Sequence, residues 1–330
     1  ALSWTIIPAF GALPFTFSEL ELSYTDAFFE AMSGITTTGS TVLTGLDFAP
    51  PGILIWRALL QWLGGIGIIA MAIAILPMLQ VGGMQLFRME SSDSSDKVLP
   101  RAAQLITYIG FIYLGMTMMC ALSYWLAGMR GFDAVAHAMT TIATGGFSTS
   151  DQSIGHFASA SIDTIAVVFM LLGSLPFVLY LRALRGNPGS LWRDSQVHWF
   201  LAIVLVAVSA MAFHLYLNNG FGLREAFRLA SFNVVSIITG TGYATTDFGL
   251  WGTFGLTLLF FMMFVGGCAG STTCGIKVFR FQVLYATAVT QIRRLLEPHG
   301  VFISYYNGKP IPYSVGDSVM SFFFLYACLL

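Results

Sequence analysis

Three stretches decide how this chain is read: AMSGITTTGST at Ala31–Thr41, AMTTIATGGFST at Ala138–Thr149 and VVSIITGTGYAT at Val234–Thr245. Each places a Thr/Gly run behind a small apolar segment: Thr37-Thr38-Gly39, Thr144-Gly145-Gly146 and Gly240-Thr241-Gly242. Gly39 to Gly146 is 107 residues and Gly146 to Gly242 is 96, the spacing of an internal repeat. Thirteen residues before Gly39 stands Asp26, and thirteen before Gly146 stands Asp133. The intervening DAFFEAM and DAVAHAM strings read as short helices. An acid near a helix start can accept from its free N–H groups and suits its dipole.

Outward from these stretches the chain is strongly apolar. Residues of the AVILMFWYC set make up 56% and charged residues 9%, against about 25% charged in ordinary globular proteins. With 15 Lys/Arg and 16 Asp/Glu in 330 residues, a water-soluble surface could not be covered. Uncharged runs at 58–87, 102–129, 195–223 and 248–276 exceed the roughly 20 residues a spanning helix needs, and 164–181 just reaches it. Runs 1–18 and 318–330 read as truncated spans, and the start at Ala1 suits a fragment of a longer protein. The runs at 31–46, 134–150 and 229–246 are too short and too polar to cross. The order is therefore span, re-entrant segment, span, three times.

Orientation follows from the basic residues. Arg88, Lys97, Arg101, Arg182, Arg185, Arg193, Lys277, Arg280, Arg293, Arg294 and Lys309 fall on one side, and only Arg57, Arg130, Arg224 and Arg228 on the other. The re-entrant segments then face outside, beneath a mouth rich in acids such as Glu19, Asp26, Glu30, Asp133 and Asp151. Such a mouth favours cations.

A half-helix descending from the outer face points its negative C-terminal end at the membrane middle. The Thr/Gly backbone that follows can turn carbonyls toward an axis, and non-helical backbone at this depth must be buried or line water. A ring of carbonyls replacing the hydration shell of a monovalent cation accounts for all three segments. None of the three runs contains an acid, so a carboxylate cage for Ca²⁺ is not expected. Four repeats would suit a ring. The next glycine should fall near ~340 if the period holds, and 318–330 leads toward it.

These segments, with QWLGGIGII (Gln61–Ile69) and GGCAGSTTCGIK (Gly266–Lys277), resemble the Trk/Ktr/HKT superfamily of potassium transporters, the bacterial TrkH/TrkG branch most closely. The resemblance covers nearly the whole chain. It implies an all-α membrane protein of four M1–P-loop–M2 units around one pore, with K⁺ as the transported ion and no organic cofactor. It also implies a homodimer in the bacterial inner membrane, with the filter facing outside, and a cytosolic nucleotide-binding TrkA-type regulatory subunit. The units are expected at 1–90, 98–186 and 194–297, with a fourth beginning at 310–330. Carried over by position, the filter residues are Thr37, Thr38, Gly39, Thr144, Gly145, Gly146, Gly240, Thr241 and Gly242. Ser40 stands in the first filter where the others have Phe147 and Tyr243, and the family's gating-loop glycine run is here Thr273-Cys274.

That gating loop is Gly266, Gly267, Cys268, Ala269, Gly270, Ser271, Thr272, Thr273, Cys274 and Gly275. From Trp251, fifteen helical residues climb roughly 22 Å, short of a core of about 30 Å. The break is expected to lie across the pore beneath the filter, and its few apolar side chains suggest a segment that moves easily. Coupled symport with H⁺ or Na⁺, or Na⁺ permeation, are the alternatives to channel-like K⁺ flow. No Ser–Lys pair or clustered acids at membrane depth suggest an enzyme. Cys120, Cys268, Cys274 and Cys328 form no CxxC, and a net charge of −1 gives no purchase on nucleic acid. His137, His198 and His214 read as packed or hydrogen-bonded histidines rather than ligands.

Overall fold

The computed structural model describes residues 2–20, 22–72 and 98–329. Expectations resting on Arg88, Lys97 and the inner end of the 58–87 run lie outside the described residues. The described residues are mostly helical. Helix α1 spans Leu2–Gly11, α2 Tyr24–Ile35 and α3 Pro51–Ala70. Next come α4 at Val98–Leu126, α5 at Gly131–Ile142, α6 at Ala160–Gly173 and α7 at Phe177–Leu184. After them follow α8 at Ser195–Asn218, α9 at Leu223–Thr239, α10 at Gly252–Phe264 and α11 at Val278–Leu296. A two-stranded hairpin, β1 Tyr305–Tyr306 with β2 Lys309–Pro310, leads into α12 at Tyr313–Leu329.

Among the described residues, three helices are long and apolar enough to cross a membrane, and α6 with α7 would make a fourth. The 164–181 run is therefore not one straight span: α6 and α7 meet at 88°. The cause is local. Pro176 ends the helix before it, and the freed backbone is taken by another segment, with Cys268 N–H donating to Ser174 O and Phe177 N–H to Gly270 O.

The short helices α2, α5 and α9 sit inside the bundle. Helix α5 packs on α3, α4 and α6, while α9 packs on α6, α8 and α10. Their faces are small and polar where the helices cross, so neighbours approach closely. Gly64 shows the constraint: a Cβ there would overlap the carbonyl of Ile35 at the end of α2. Helix α2 starts with a reciprocal cap, Ser23 Oγ accepting from Asp26 N–H at 3.1 Å and donating to the Asp26 carboxylate at 2.7 Å. Helix α9 begins at Leu223, ahead of the uncharged run from 229, and its first turns carry Arg224, Glu225 and Arg228. Arg228 reaches the Asp163 carboxylate at 3.2 Å, tying α9 to the first turn of α6.

Candidate ion filter and gating loop

After each short helix the backbone leaves helical geometry in the same way. Left-handed φ angles fall at Thr37 (55°) and Gly39 (83°), at Thr144 (49°) and Gly146 (81°), and at Gly240 (72°) and Gly242 (82°). Every second residue is left-handed in all three strands. In ordinary extended chain successive carbonyls alternate sides, and reversing every second residue turns them toward one side. Threonine in this region is strained by about 1–2 kcal/mol, so Thr37 and Thr144 are held there by their surroundings.

The three strands meet. A Cβ on Gly39 would overlap the Gly145 carbonyl and stand 3.7 Å from that of Thr241, and a Cβ on Gly146 would overlap the Thr241 carbonyl. Thr37, Thr144, Thr239 and Thr241 are all buried at this junction. Of the expected residues, Gly39, Gly145, Gly146, Thr241 and Gly242 meet here, Thr37 and Thr144 are buried beside them, Thr38 is exposed and Gly240 faces Cys274, with the C-terminal ends of α2, α5 and α9 leading into the junction.

A set of supports that the Thr/Gly pattern did not reveal holds each strand as it leaves the cluster. Nine residues before Gly39, Gly146 and Gly242 stand Glu30, His137 and Asn233, all fully buried. Glu30 accepts from Thr41 Oγ1 at 2.9 Å and Val42 N–H at 3.2 Å. His137 binds the Ser148 hydroxyl through Nε2 at 2.9 Å and the Asp133 carbonyl through Nδ1 at 2.8 Å. Asn233 Nδ2 donates to Thr245 Oγ1 at 3.0 Å. Three unlike side chains do one job: each fastens a hydroxyl of the outgoing strand to its own short helix. The column is visible in aligned FFEAM, VAHAM and SFNVV once identity is ignored. Asn233→Ala strands the Thr245 hydroxyl and is expected to cost about 1–3 kcal/mol, read as a lower unfolding temperature in detergent.

Two further ties hold the strands, the first within one unit and the second between α5 and the third strand. Glu30 forms a buried ion pair with Arg57 of α3 at 2.7 Å, and Tyr243 sends its hydroxyl to Thr140 Oγ1 on α5 at 2.5 Å. His214 bonds the Trp251 carbonyl at 2.9 Å. Among the described residues no group of three or more His, Cys, Asp or Glu could hold a metal ion.

Below the strands lies the break between α10 and α11. Val265 and Ile276 form a parallel bridge that closes its neck. Thr272 Oγ1 contacts the Ile142 carbonyl at the end of α5, the Gly173 carbonyl and the Thr144 hydroxyl, each at 3.1 Å. A Cβ on Gly240 would sit 3.1 Å from Cys274 Cβ. The loop therefore lies directly against the second and third strands.

It is also tied more firmly than its composition suggests. Gly266, Gly267, Cys268, Ala269, Gly270, Ser271, Thr272 and Thr273 are buried, while Cys274 and Gly275 are exposed. Ala269 N–H donates to the buried Gln196 Oε1 at 2.9 Å, Ser271 Oγ to Cys268 O at 2.6 Å, and Lys277 Nζ reaches the Thr273 carbonyl. These hydrogen bonds add to the few apolar contacts the loop makes through Cys268 and Ala269. Nearby, the Asp194 carboxylate caps α8 through Gln196 N–H at 2.8 Å; burial raises its pKa, against hydrogen bonds from Gln196, Val197 and Asn307 that lower it.

Comparison with known proteins agrees with this architecture. A family described as "TrkH: Cation transport protein" matches residues 2–330. The Trk system potassium uptake protein TrkI of Halomonas elongata is 45% identical over 326 residues, covering 98% of this chain and 66% of that protein. The Trk system potassium uptake protein TrkH of Vibrio parahaemolyticus is 42% identical, covering 99% and 69%. The crystal structure of the potassium transporter TrkH from Vibrio parahaemolyticus superimposes with a TM-score of 0.90 at 40% identity, covering 99% of this chain and 68% of that one. The chain thus spans about two thirds of the length of these relatives. It belongs to the TrkH family of cation transport proteins.

Proposed function

We propose that this chain carries the K⁺ pathway of a bacterial inner-membrane uptake system. K⁺ passes by channel-like permeation through a filter built from the Thr/Gly strands and gated by the 266–276 loop. One observation carries the reading: three strands with the same alternation of left-handed residues converge on one point, each behind the C-terminal end of a buried short helix. Backbone oxygens turned to one side suit a dehydrated monovalent cation, and the helix ends add negative potential. In this reading residues 1–90, 98–186 and 194–297 are three M1–P-loop–M2 units, and 310–330 opens a fourth. The functional assembly is a homodimer in lipid, controlled by a cytosolic TrkA-type nucleotide-binding subunit that acts on the gating loop through α11.

The test is ⁸⁶Rb⁺ uptake into liposomes carrying the full-length protein, with K⁺ and Na⁺ as competitors. Strong competition by K⁺ and weak competition by Na⁺ is the expected result. Equal competition would remove the K⁺ assignment.

Orientation gives a second, independent test. Residues 88–101, 182–194 and 277–313 are assigned to the cytoplasm, and 19–30 and 130–163 to the outside. In a background with the four native cysteines replaced by serine, Gln152→Cys should react with an impermeant thiol reagent on intact cells, and Asn187→Cys should not. The opposite pattern would invert the whole assignment.

A further inference from the structure

Helix α3 turns two polar side chains, Arg57 and Gln61, toward the second filter strand from one turn apart. Gln61 is fully buried. Its Nε2 donates to the Gly145 carbonyl at 2.6 Å, and its Oε1 accepts from Phe147 N–H at 3.0 Å. The side-chain amide therefore brackets Gly146 as a neighbouring strand would, fixing the peptides on either side. Arg57 continues the grip, donating from Nη1 to Ser148 O at 2.9 Å with its guanidinium 4.1 Å above the Phe147 ring. The gripped oxygen is the one a Cβ on Gly39 would overlap, so it lies where the first and second strands meet.

Among the described residues the second unit has no counterpart of this grip. Gly64 of α3 lies against the end of α2, and Gly173 of α6 lies against the end of α5, a Cβ on Gly173 falling 3.1 Å from the Ile142 carbonyl. In that shared register Gln61, three residues before Gly64, matches Met170, three residues before Gly173. A thioether cannot supply a donor and an acceptor to a peptide.

We infer that Gln61 is a specificity-determining positioning residue: by holding the Gly145 carbonyl and the Phe147 N–H at once, it sets the second strand's carbonyl geometry and, through it, K⁺ over Na⁺ preference. The inference rests on the filter reading above. The physical argument is stiffness. A smaller ion gains only if the oxygens move inward, and a carbonyl held by a buried amide resists that movement. A carbonyl oxygen has two lone pairs, so the bond from Gln61 leaves one for an ion.

Chemistry supplies the test. Gln61→Leu keeps the approximate size and loses both bonds. Gln61→Glu behaves differently with pH. A protonated carboxyl can donate to Gly145 O and accept from Phe147 N–H, whereas a carboxylate can only accept and repels the carbonyl. The charged and titratable groups around position 61 are Arg57 on α3, its partner Glu30 on α2, His137 on α5 beyond Ser148, Asp151 after the second strand and Tyr113 on α4.

The measurement is the K⁺-to-Na⁺ competition ratio for ⁸⁶Rb⁺ uptake by the full-length protein in liposomes, from about pH 5 to about pH 9, a window that covers a buried carboxyl. Gln61→Leu is expected to lower the ratio about threefold to tenfold at every pH, the value of one or two amide hydrogen bonds. Gln61→Glu is expected to approach the wild-type ratio at the acid end and lose it as pH rises, while the wild type stays flat. Because the Glu variant is compared with itself, poor folding of the Leu variant does not blunt the test. A pH-independent ratio in Gln61→Glu, equal to wild type, would overturn the inference while leaving the filter standing. A wild type that does not discriminate between the ions would overturn the filter reading itself, and the inference with it.

Discussion

Serine in place of Gly146 is expected to cut K⁺ over Na⁺ discrimination by about tenfold or more. Gly146 has φ 81°, where a residue with a Cβ is strained by about 1–2 kcal/mol. Its Cβ would also overlap the Thr241 carbonyl of the neighbouring strand, so that carbonyl must swing away. Each 1.4 kcal/mol of lost discrimination is a factor of about ten. Gly242 makes the internal comparison. Its φ is 82°, but a Cβ there meets nothing within 4 Å. Gly242→Ser should therefore show the strain without the collision, and a milder loss. Competition between K⁺ and Na⁺ for ⁸⁶Rb⁺ uptake reads both. Unchanged ratios in the two variants would sink the filter.

The second large effect is expected at the loop. Deleting Ala269 to Thr273 removes the Thr272 contacts with the α5 end and the Gln196–Ala269 bond. If the loop blocks the pathway, basal K⁺ flux without the regulatory subunit should rise at least about tenfold, since several hydrogen bonds of about 0.5–1.5 kcal/mol each hold it shut. Gln196→Leu releases only the Ala269 N–H and lies away from the filter, so a smaller rise with unchanged selectivity is expected. If a cytosolic partner pulls on α11 as proposed, packed side chains can carry the pull to the loop. Ala269 packs in one cluster with Phe279 and Val283 of α11, Tyr306 and Ile311 near the hairpin, and Val315 and Val319 of α12. A deletion variant that reaches the membrane yet keeps the wild-type basal rate would reduce the loop to a kink.

Much of this was legible in the sequence because runs of glycine and threonine between apolar spans mark backbone that is not helical. Backbone that leaves helical form there must be satisfied, so Gly39, Gly146, Gly242 and the 266–276 break stand out against apolar surroundings. The end of α10 at Phe264 fell just before the Gly266-Gly267 pair that marks the break in the sequence. Direction was not legible. The 164–181 run has the hydropathy of a span, and hydropathy carries no angle, so the 88° bend at Pro176 was hidden. Long-range partners were hidden for another reason. Gln61 and Gly145 are 84 positions apart, and nothing in either residue names the other. Glu30, His137 and Asn233 escaped because a repeat search looks for likeness, and their shared role needs only a polar group able to hold a hydroxyl. The loop's firmness was misjudged for lack of apolar residues, when its own backbone and the buried Gln196 supply the ties.

That column of unlike residues has a consequence for how such a protein can change. Where identical subunits surround an axis, any substitution arrives in every one of them at once, and most large steps are fatal. Here the three positions are separately encoded. One holds a charged pair, one an imidazole and one an amide, so each sector can drift by itself while its neighbours keep the ion's surroundings intact. A single base change alters one sector in small increments. If the strands form the proposed filter, preference among ions can then be adjusted by degrees, and Glu30, His137 and Asn233 already differ in chemistry.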